Sequence, residues 1–240
     1  MLGPLIFFQR ALHRELQYVF LLLTRRAEVA IVIFSLIFLP GVVLHELSHF
    51  VMAKLLRVHT GRFSIIPHRI GDGRLRMGYV ETAPSDVFRD ALIGFAPLLA
   101  GGLFVGYAGN AKLGLNQFWV SLVAGDLPRI LTDANAILGK PDFWLWFYLT
   151  VAVSSTMMPS SSDRRAWLTL LIAVGFLVGI GLLFGLGPFF MEVVGIPLNN
   201  GLRAAAVVFG ISLAVQILVL LPTWGIRKLL NRLTGLKVVS

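Results

Sequence analysis

Residues 29–53 read VAIVIFSLIFLPGVVLHELSHFVMA, an apolar run whose only charged residue is Glu46. Crossing a bilayer core of about 30 Å takes roughly 20 residues of helix, so the stretch has the length of a membrane span. The whole chain agrees with that reading. Of its 240 residues 57% are hydrophobic and 14% charged, its mean hydropathy is +0.82, and soluble domains carry nearer a quarter charged residues. Four further apolar runs, at 91–108, 143–158, 166–187 and 204–222, bring the expected number of transmembrane helices to about five. The predicted fold class is an all-α polytopic membrane protein forming a single domain over 1–240. Within it, 27–165 forms the core that carries the chemistry and 166–240 supplies accessory transmembrane helices.

Two segments stand apart from the spans. Residues 1–26 carry Arg10, His13, Arg14 and Glu15 inside an apolar pattern, which predicts an N-terminal interfacial helix rather than a span. The sequence has none of the marks of a cleaved signal peptide. After the first span, RFSIIPHRIGDGRLRMGYVE (62–81) alternates around Ile70-Gly71-Asp72-Gly73. Asp-Gly is a strong turn cue, so a small β-hairpin is expected there. Residues 109–142 hold a weaker apolar piece, expected to be re-entrant or interfacial.

The net charge of +9 serves first as a signal of orientation, because Lys and Arg collect on the cytoplasmic side of membrane proteins. If HELSH lies near the cytoplasmic end of its span, segments 54–90, 159–165 and 223–240 face inside and hold 13 of the 21 Lys and Arg. The lipid bilayer is partner enough for this charge. No basic helix or aromatic platform suggests nucleic acid, which is not an expected partner. The chain has no cysteine, so thiolate ligands are excluded.

The chemistry lies in His45-Glu46-Leu47-Ser48-His49. On a helix, positions four apart share a face, so both imidazoles can reach one Zn²⁺ at about 2.0–2.1 Å. In metalloproteases of this spacing the glutamate beside the metal is the general base, which makes Glu46 the catalytic candidate. Ionisable groups at such depth are costly and mark functional sites. His45 lies about 24 Å from Val29 and about 13 Å from Lys54 along the helix, well below the membrane surface. A catalytic zinc needs a third protein ligand. Position favours Asp163, at the end of VAVSSTMMPSSSD (151–163), on the same side as HELSH. Asp126 and Asp133 are the alternatives if 109–142 re-enters, and His59 or His68 if the hairpin folds back. Ser48 is expected to be a small packing contact and Gln216 an interhelical hydrogen bond.

With these residues in view, the sequence resembles the site-2 protease family of intramembrane zinc metalloproteases. The likeness covers about 29–165: H-E-x-x-H late in a span, a hairpin ending in Gly78-Tyr79-Val80, the glycine- and proline-rich stretch GFAPLLAGG (94–102), and an aspartate after the next span. The resemblance implies His45, His49 and Asp163 as ligands of one Zn²⁺ per chain and Glu46 as general base. It further implies that Gly78, Tyr79 and Val80 bind an unwound substrate segment, and that the substrate is a membrane protein with a transmembrane segment. The chain departs from the family pattern at two places. Ala100 stands where the family has an asparagine, and Ser162-Asp163-Arg164 stands for Leu-Asp-Gly. The oxyanion donor is left open among Ser154, Ser155, Thr156, residues 160–162 and Arg164. The alternative to a protease is a catalytically silent, site-2-protease-like membrane scaffold or metal-binding protein.

Overall fold

The computed structural model describes residues 2–65, 68–69, 75–76 and 78–235. Its helices are α1 (Leu2–Thr24), α2 (Ala27–Leu55), α3 (Val87–Tyr107), α4 (Leu115–Ala124), α5 (Leu127–Leu138), α6 (Phe143–Thr156), α7 (Trp167–Leu183), α8 (Gly187–Phe190) and α9 (Ile196–Thr234). A π-helical segment, Ala108–Leu113, extends α3, and another, Met191–Gly195, joins α8 to α9. Between α2 and α3 lie β1 (Thr60–Ser64), β2 (His68–Arg69), β3 (Leu75–Arg76) and β4 (Tyr79–Thr82).

The breaks have local causes. Gly114 and Gly125 take left-handed φ of 74° and 67° at either end of α4, a conformation that glycine adopts without a Cβ penalty. Asp86 caps α3 by accepting from the backbone N–H groups of Phe88 and Arg89. These bonds to the ionised form hold its carboxyl below the usual range. Pro159 shortly follows the end of α6, and the residue before a proline avoids helical angles.

The pairing of β1 with β4 and of β2 with β3, both antiparallel, bears out the expected small hairpin, built from four short strands. Its Ile70-Gly71-Asp72-Gly73 turn lies outside the described residues.

Among the described residues, three helical stretches are long and apolar enough to cross a membrane: Ala27–Leu55, Val87–Leu113 and Gly187–Thr234. The expected five spans are not all found. α6 has 14 residues, about 21 Å of helix, and α7 has 17, about 25 Å. A hydropathy run counts apolar residues whether or not one helix contains them all. At 204–222 the run is only the middle of the longer Gly187–Thr234 stretch.

Residues 1–26 also differ from expectation. α1 packs along α9 and α2, with Leu5, Leu12, Val19 and Leu22 buried. Two of its polar residues lie inside this assembly. The Glu15 carboxylate pairs with Arg227, and His13 lies against the rings of Phe34 and Phe38.

These contacts also fix direction. Gln9 of α1 and Gln216 of α9 reach adjacent carbonyls at the end of α6, those of Ser155 and Ser154, while Arg227 pairs with Glu15 and lies over the ring of Tyr18, so α1 and α9 run parallel. Gln9 and His45 reach neighbouring carbonyls at the end of α6, and His13 lies against Phe34 and Phe38, so α1 and α2 run antiparallel. The C-terminal end of α9 therefore points away from HELSH. Arg227, Lys228 and Arg232 lie at the opposite end from Lys54, which corrects the assignment of this end of α9 to the HELSH side. Charge counting failed here because it followed an alternation of five spans.

The glycines of 166–187 find little packing within the chain. A Cβ at Gly175 or Gly179 would meet nothing within 4 Å, Gly181 lies against Phe190, and Gly185 serves a turn at φ 77°.

With no native cysteine, single cysteines report membrane sidedness cleanly. In sealed vesicles, Lys54→Cys and Leu233→Cys are expected to react with an impermeant thiol reagent from opposite sides; labelling from one side would refute the parallel course of α1 and α9.

Candidate metal centre

α2 carries the two histidines through a helix that runs unbroken past Pro40. A Pro-Gly pair inside a helix commonly kinks or loosens it. Gly41 instead gives room for a neighbour: a Cβ on it would overlap the hydroxyl of Thr156 and the carbonyl of Ala152. The C-terminal turn of α6 is thereby brought against the face of α2 that bears His45. Gly94 plays the same part on α3, where a Cβ would overlap the backbone carbonyl of Asp163.

Both imidazoles are fixed by backbone carbonyls. His45 Nδ1 lies 2.7 Å from the Thr156 carbonyl oxygen and His49 Nδ1 lies 2.8 Å from that of Ile93. A carbonyl can only accept, so each Nδ1 carries the proton and each Nε2 presents a lone pair. The two Nε2 atoms are 3.2 Å apart. The Asp163 carboxylate faces both, with Oδ2 3.8 Å from His45 Nε2 and Oδ1 3.5 Å from His49 Nε2.

Two lone pairs and a carboxylate converging in this way repel one another unless a proton or a metal cation lies among them. Tetrahedral ligands about 2.0–2.1 Å from a metal ion stand about 3.3–3.4 Å from each other, close to the three separations here. His45, His49 and Asp163 thus form a set that could hold one divalent cation, each offering one ligand atom. Imidazole Nδ1–H groups bonded to backbone carbonyls are the usual outer support of such ligands.

Asp163 is held by its own turn. The backbone N–H of Ser160 donates to Oδ2 at 2.7 Å, and Ser160 Oγ accepts from the backbone N–H of Asp163 at 3.2 Å. The neighbouring arginines do not take the carboxylate. Arg164 Nε donates to the Ser160 carbonyl at 3.3 Å, and Arg165 pairs with Asp90 of α3 at 3.1 Å. The turn is thereby tied to the helix that orients His49.

Glu46 is buried beside this group. Gly78, just before β4, lies so near that a Cβ on it would come within 2.8 Å of Glu46 Cγ and 3.1 Å of Oε1. The hairpin therefore sits against the catalytic candidate. Tyr79 and Val80 follow in β4, paired with Ser64 and Phe63 of β1.

The other candidates lie elsewhere. Asp126 caps α5 by accepting from the Arg129 backbone N–H, and Asp133 accepts from the Ser121 hydroxyl. His59 is exposed, and the side chain of His68 lies outside the described residues. Ser48 Oγ donates to the His45 carbonyl at 2.6 Å, a local helix contact as expected. The hydroxyls of Ser154 and Thr156 bond carbonyls within α6, while residues 160–162 are exposed beside Asp163.

Sequence reasoning did not name Ile93 and Thr156 as partners of the histidines, because any residue supplies a backbone carbonyl. Of the two contact glycines, Gly94 did leave a signal, since it opens the glycine- and proline-rich stretch 94–102.

Compared with protein-family models, with curated proteins and with solved structures, the chain shows no match.

Adding a methyl group at either contact glycine should act on the site. Gly41→Ala and Gly94→Ala are each expected to cost about 1–3 kcal/mol through overpacking and to lower metal retention, whereas Gly175→Ala, in open space, should do neither. Thermal melting and metal analysis in detergent provide the check, and unchanged metal content in both site variants would show that the close approaches do not build the centre.

Proposed function

We propose that this protein is a multi-pass intramembrane zinc metalloprotease, similar to the site-2 protease family, that hydrolyses peptide bonds within or near transmembrane segments of membrane-protein substrates. The observation that carries the reading is the convergence of His45 Nε2, His49 Nε2 and the Asp163 carboxylate within 4.8 Å of one another, with Glu46 as the adjacent residue on the same helix. The donor set of two imidazoles and one carboxylate, leaving a fourth position open, is that of a catalytic zinc site. Zinc bound there supplies Lewis acidity, polarising the scissile carbonyl and making water a competent nucleophile at neutral pH.

The remaining steps belong to the chain's own residues. The Glu46 carboxylate takes a proton from the attacking water and delivers it to the leaving amine nitrogen. Its burial against Gly78 keeps it beside the site and away from bulk solvent. Gly78, Tyr79 and Val80 receive the substrate as an extended segment, since a helical amide is already hydrogen-bonded and sterically covered. β4 is paired on one side with β1, and a substrate strand adds to its other edge by main-chain hydrogen bonds. The cytoplasmic orientation of the site rests on the Lys and Arg of 54–90, because the basic end of α9 lies at the other end of the bundle.

Glu46→Gln separates an enzyme from a silent metal-binding scaffold. The variant is expected to keep its zinc and to lose cleavage of a membrane-protein substrate by at least a hundredfold, on the order of what a positioned proton-transfer group contributes; Asp163→Ala is expected to lose the metal. Zinc content by elemental analysis and a cleavage assay in proteoliposomes read the two effects. Undiminished cleavage by Glu46→Gln would end the protease reading, and full zinc retention by Asp163→Ala would remove that residue from the ligand set.

A further inference from the structure

A helix leaves its last four carbonyls without partners in its own ladder, and where the end is buried away from water each bare carbonyl costs free energy. α6 ends in this way among other helices: Val153, Ser154 and Ser155 are 3%, 0% and 0% exposed. Its four terminal carbonyls are nevertheless all satisfied. That of Val153 accepts from the backbone N–H of Met157 at 2.9 Å. The next three accept side-chain donors from three different helices: Ser154 from Gln216 Nε2 of α9 at 3.3 Å, Ser155 from Gln9 Nε2 of α1 at 2.6 Å, and Thr156 from His45 Nδ1 of α2 at 2.7 Å.

Gln216 shows that this arrangement is more than incidental packing. It is completely buried, and its Oε1 has no hydrogen-bond partner. A buried amide with half its hydrogen-bonding capacity unmet is costly, and leucine fills such a place better. What leucine lacks is the N–H donor. Only the NH₂ end of an amide can face a carbonyl, so the orientation of Gln216 is set by the Ser154 oxygen. Gln9 follows the same logic at shorter range. The carbonyls served by the two glutamines immediately precede the one that holds the tautomer of His45, and the turn carrying Asp163 begins within four residues of this helix end.

We infer that Gln9 and Gln216 are positioning residues of the metal centre: by capping the C-terminal turn of α6 from two sides, they fix the Thr156 carbonyl that orients His45 and anchor the start of the Asp163 turn. This rests on the reading of His45, His49 and Asp163 as a metal site. A residue that only glues helices together lowers stability when replaced. A residue that positions the centre also changes how the metal is held.

The test compares purified wild-type protein with Gln9→Leu, Gln216→Leu and a control, Val215→Ala, which removes buried packing next to Gln216 without touching a carbonyl. Three quantities are read: the melting temperature, zinc affinity by competition with a chelator, and the visible absorption of the Co²⁺-substituted protein, which reports ligand geometry. Both glutamine variants are expected to bind zinc about three- to tenfold more weakly, toward the lower end of losses seen when outer support of a ligand is removed, and to shift the Co²⁺ band. Val215→Ala should melt earlier with affinity and spectrum unchanged. If a leucine variant does not fold, the methionine replacement at the same position takes its place. Glutamine variants that melt earlier yet keep wild-type affinity and spectrum would overturn the inference and leave the metal-site reading standing. A wild-type protein that takes up neither Zn²⁺ nor Co²⁺ would overturn both.

Discussion

A neutral imidazole on an apolar helix can point a lone pair at a metal only if its other nitrogen has somewhere to send its proton. Here the acceptors are the backbone carbonyls of Thr156 and Ile93, on α6 and α3. Much of the architecture around the site follows from that need. A carbonyl emerging from one helix is reached by a side chain of another only when the axes come close, and closeness demands a residue without a side chain at the crossing. Gly41 meets that demand against α6 and Gly94 against the Asp163 turn. Small residues at helix crossings are common where packing cannot draw on the hydrophobic effect. Gly41 also brings the end of α6, and with it the Thr156 carbonyl, to His45.

The second constraint is the shortness of α6. With 14 residues it ends after about 21 Å, short of a full crossing, and irregular backbone at membrane depth is tolerated only where protein or a wet cavity surrounds it. That early end is what allows an aspartate to face the histidines. A helix continuing through Pro159 would carry Asp163 several residues further along its axis. Ending the helix early exposes carbonyls, and donors from α1, α2 and α9 meet them. The stretch SSTMMPSSSD, unusual in so apolar a chain, therefore holds two features of the site at once: a helix end that orients one candidate ligand and a turn that supplies another.

How much of this was legible depended on the kind of signal. The i, i+4 placement of His45 and His49 is a property of helix geometry, and it survives any packing of the helix. Asp163 was found by position, as an acidic residue following an apolar run. The small hairpin was announced by Asp-Gly and alternation. What stayed hidden were relations between segments. Hydropathy at 204–222 marks an apolar stretch but carries no direction, so the parallel course of α1 and α9 was invisible and the basic end of α9 was placed on the wrong side. The polar pattern of 1–26 suggested an interface with water, because nothing in Glu15 or His13 announces Arg227 or the rings of Phe34 and Phe38 as partners. Gln216 was recognised as an interhelical contact, yet the atom it contacts belongs to a backbone.

The departures from the family pattern can be weighed in the same physical terms. A Leu-Asp-Gly motif is one way of turning a carboxylate toward a metal, and its absence would count against the site if no other device held Asp163. The turn supplies such a device. Ser160 donates its backbone N–H to the carboxylate and accepts the backbone N–H of Asp163 on its hydroxyl, a reciprocal pair that fixes both ends of the residue. Arg165 fastens the turn to Asp90 of α3, and Gly94 admits the Asp163 carbonyl against the same helix. Three separate contacts thus constrain the position that the motif would otherwise set. Ala100 has no comparable substitute, because an alanine side chain offers neither donor nor acceptor. The geometry of the candidate ligands is therefore independent of the missing motif, while on the proposed protease reading the polar contact of the family's asparagine comes from another part of the chain or from the substrate itself.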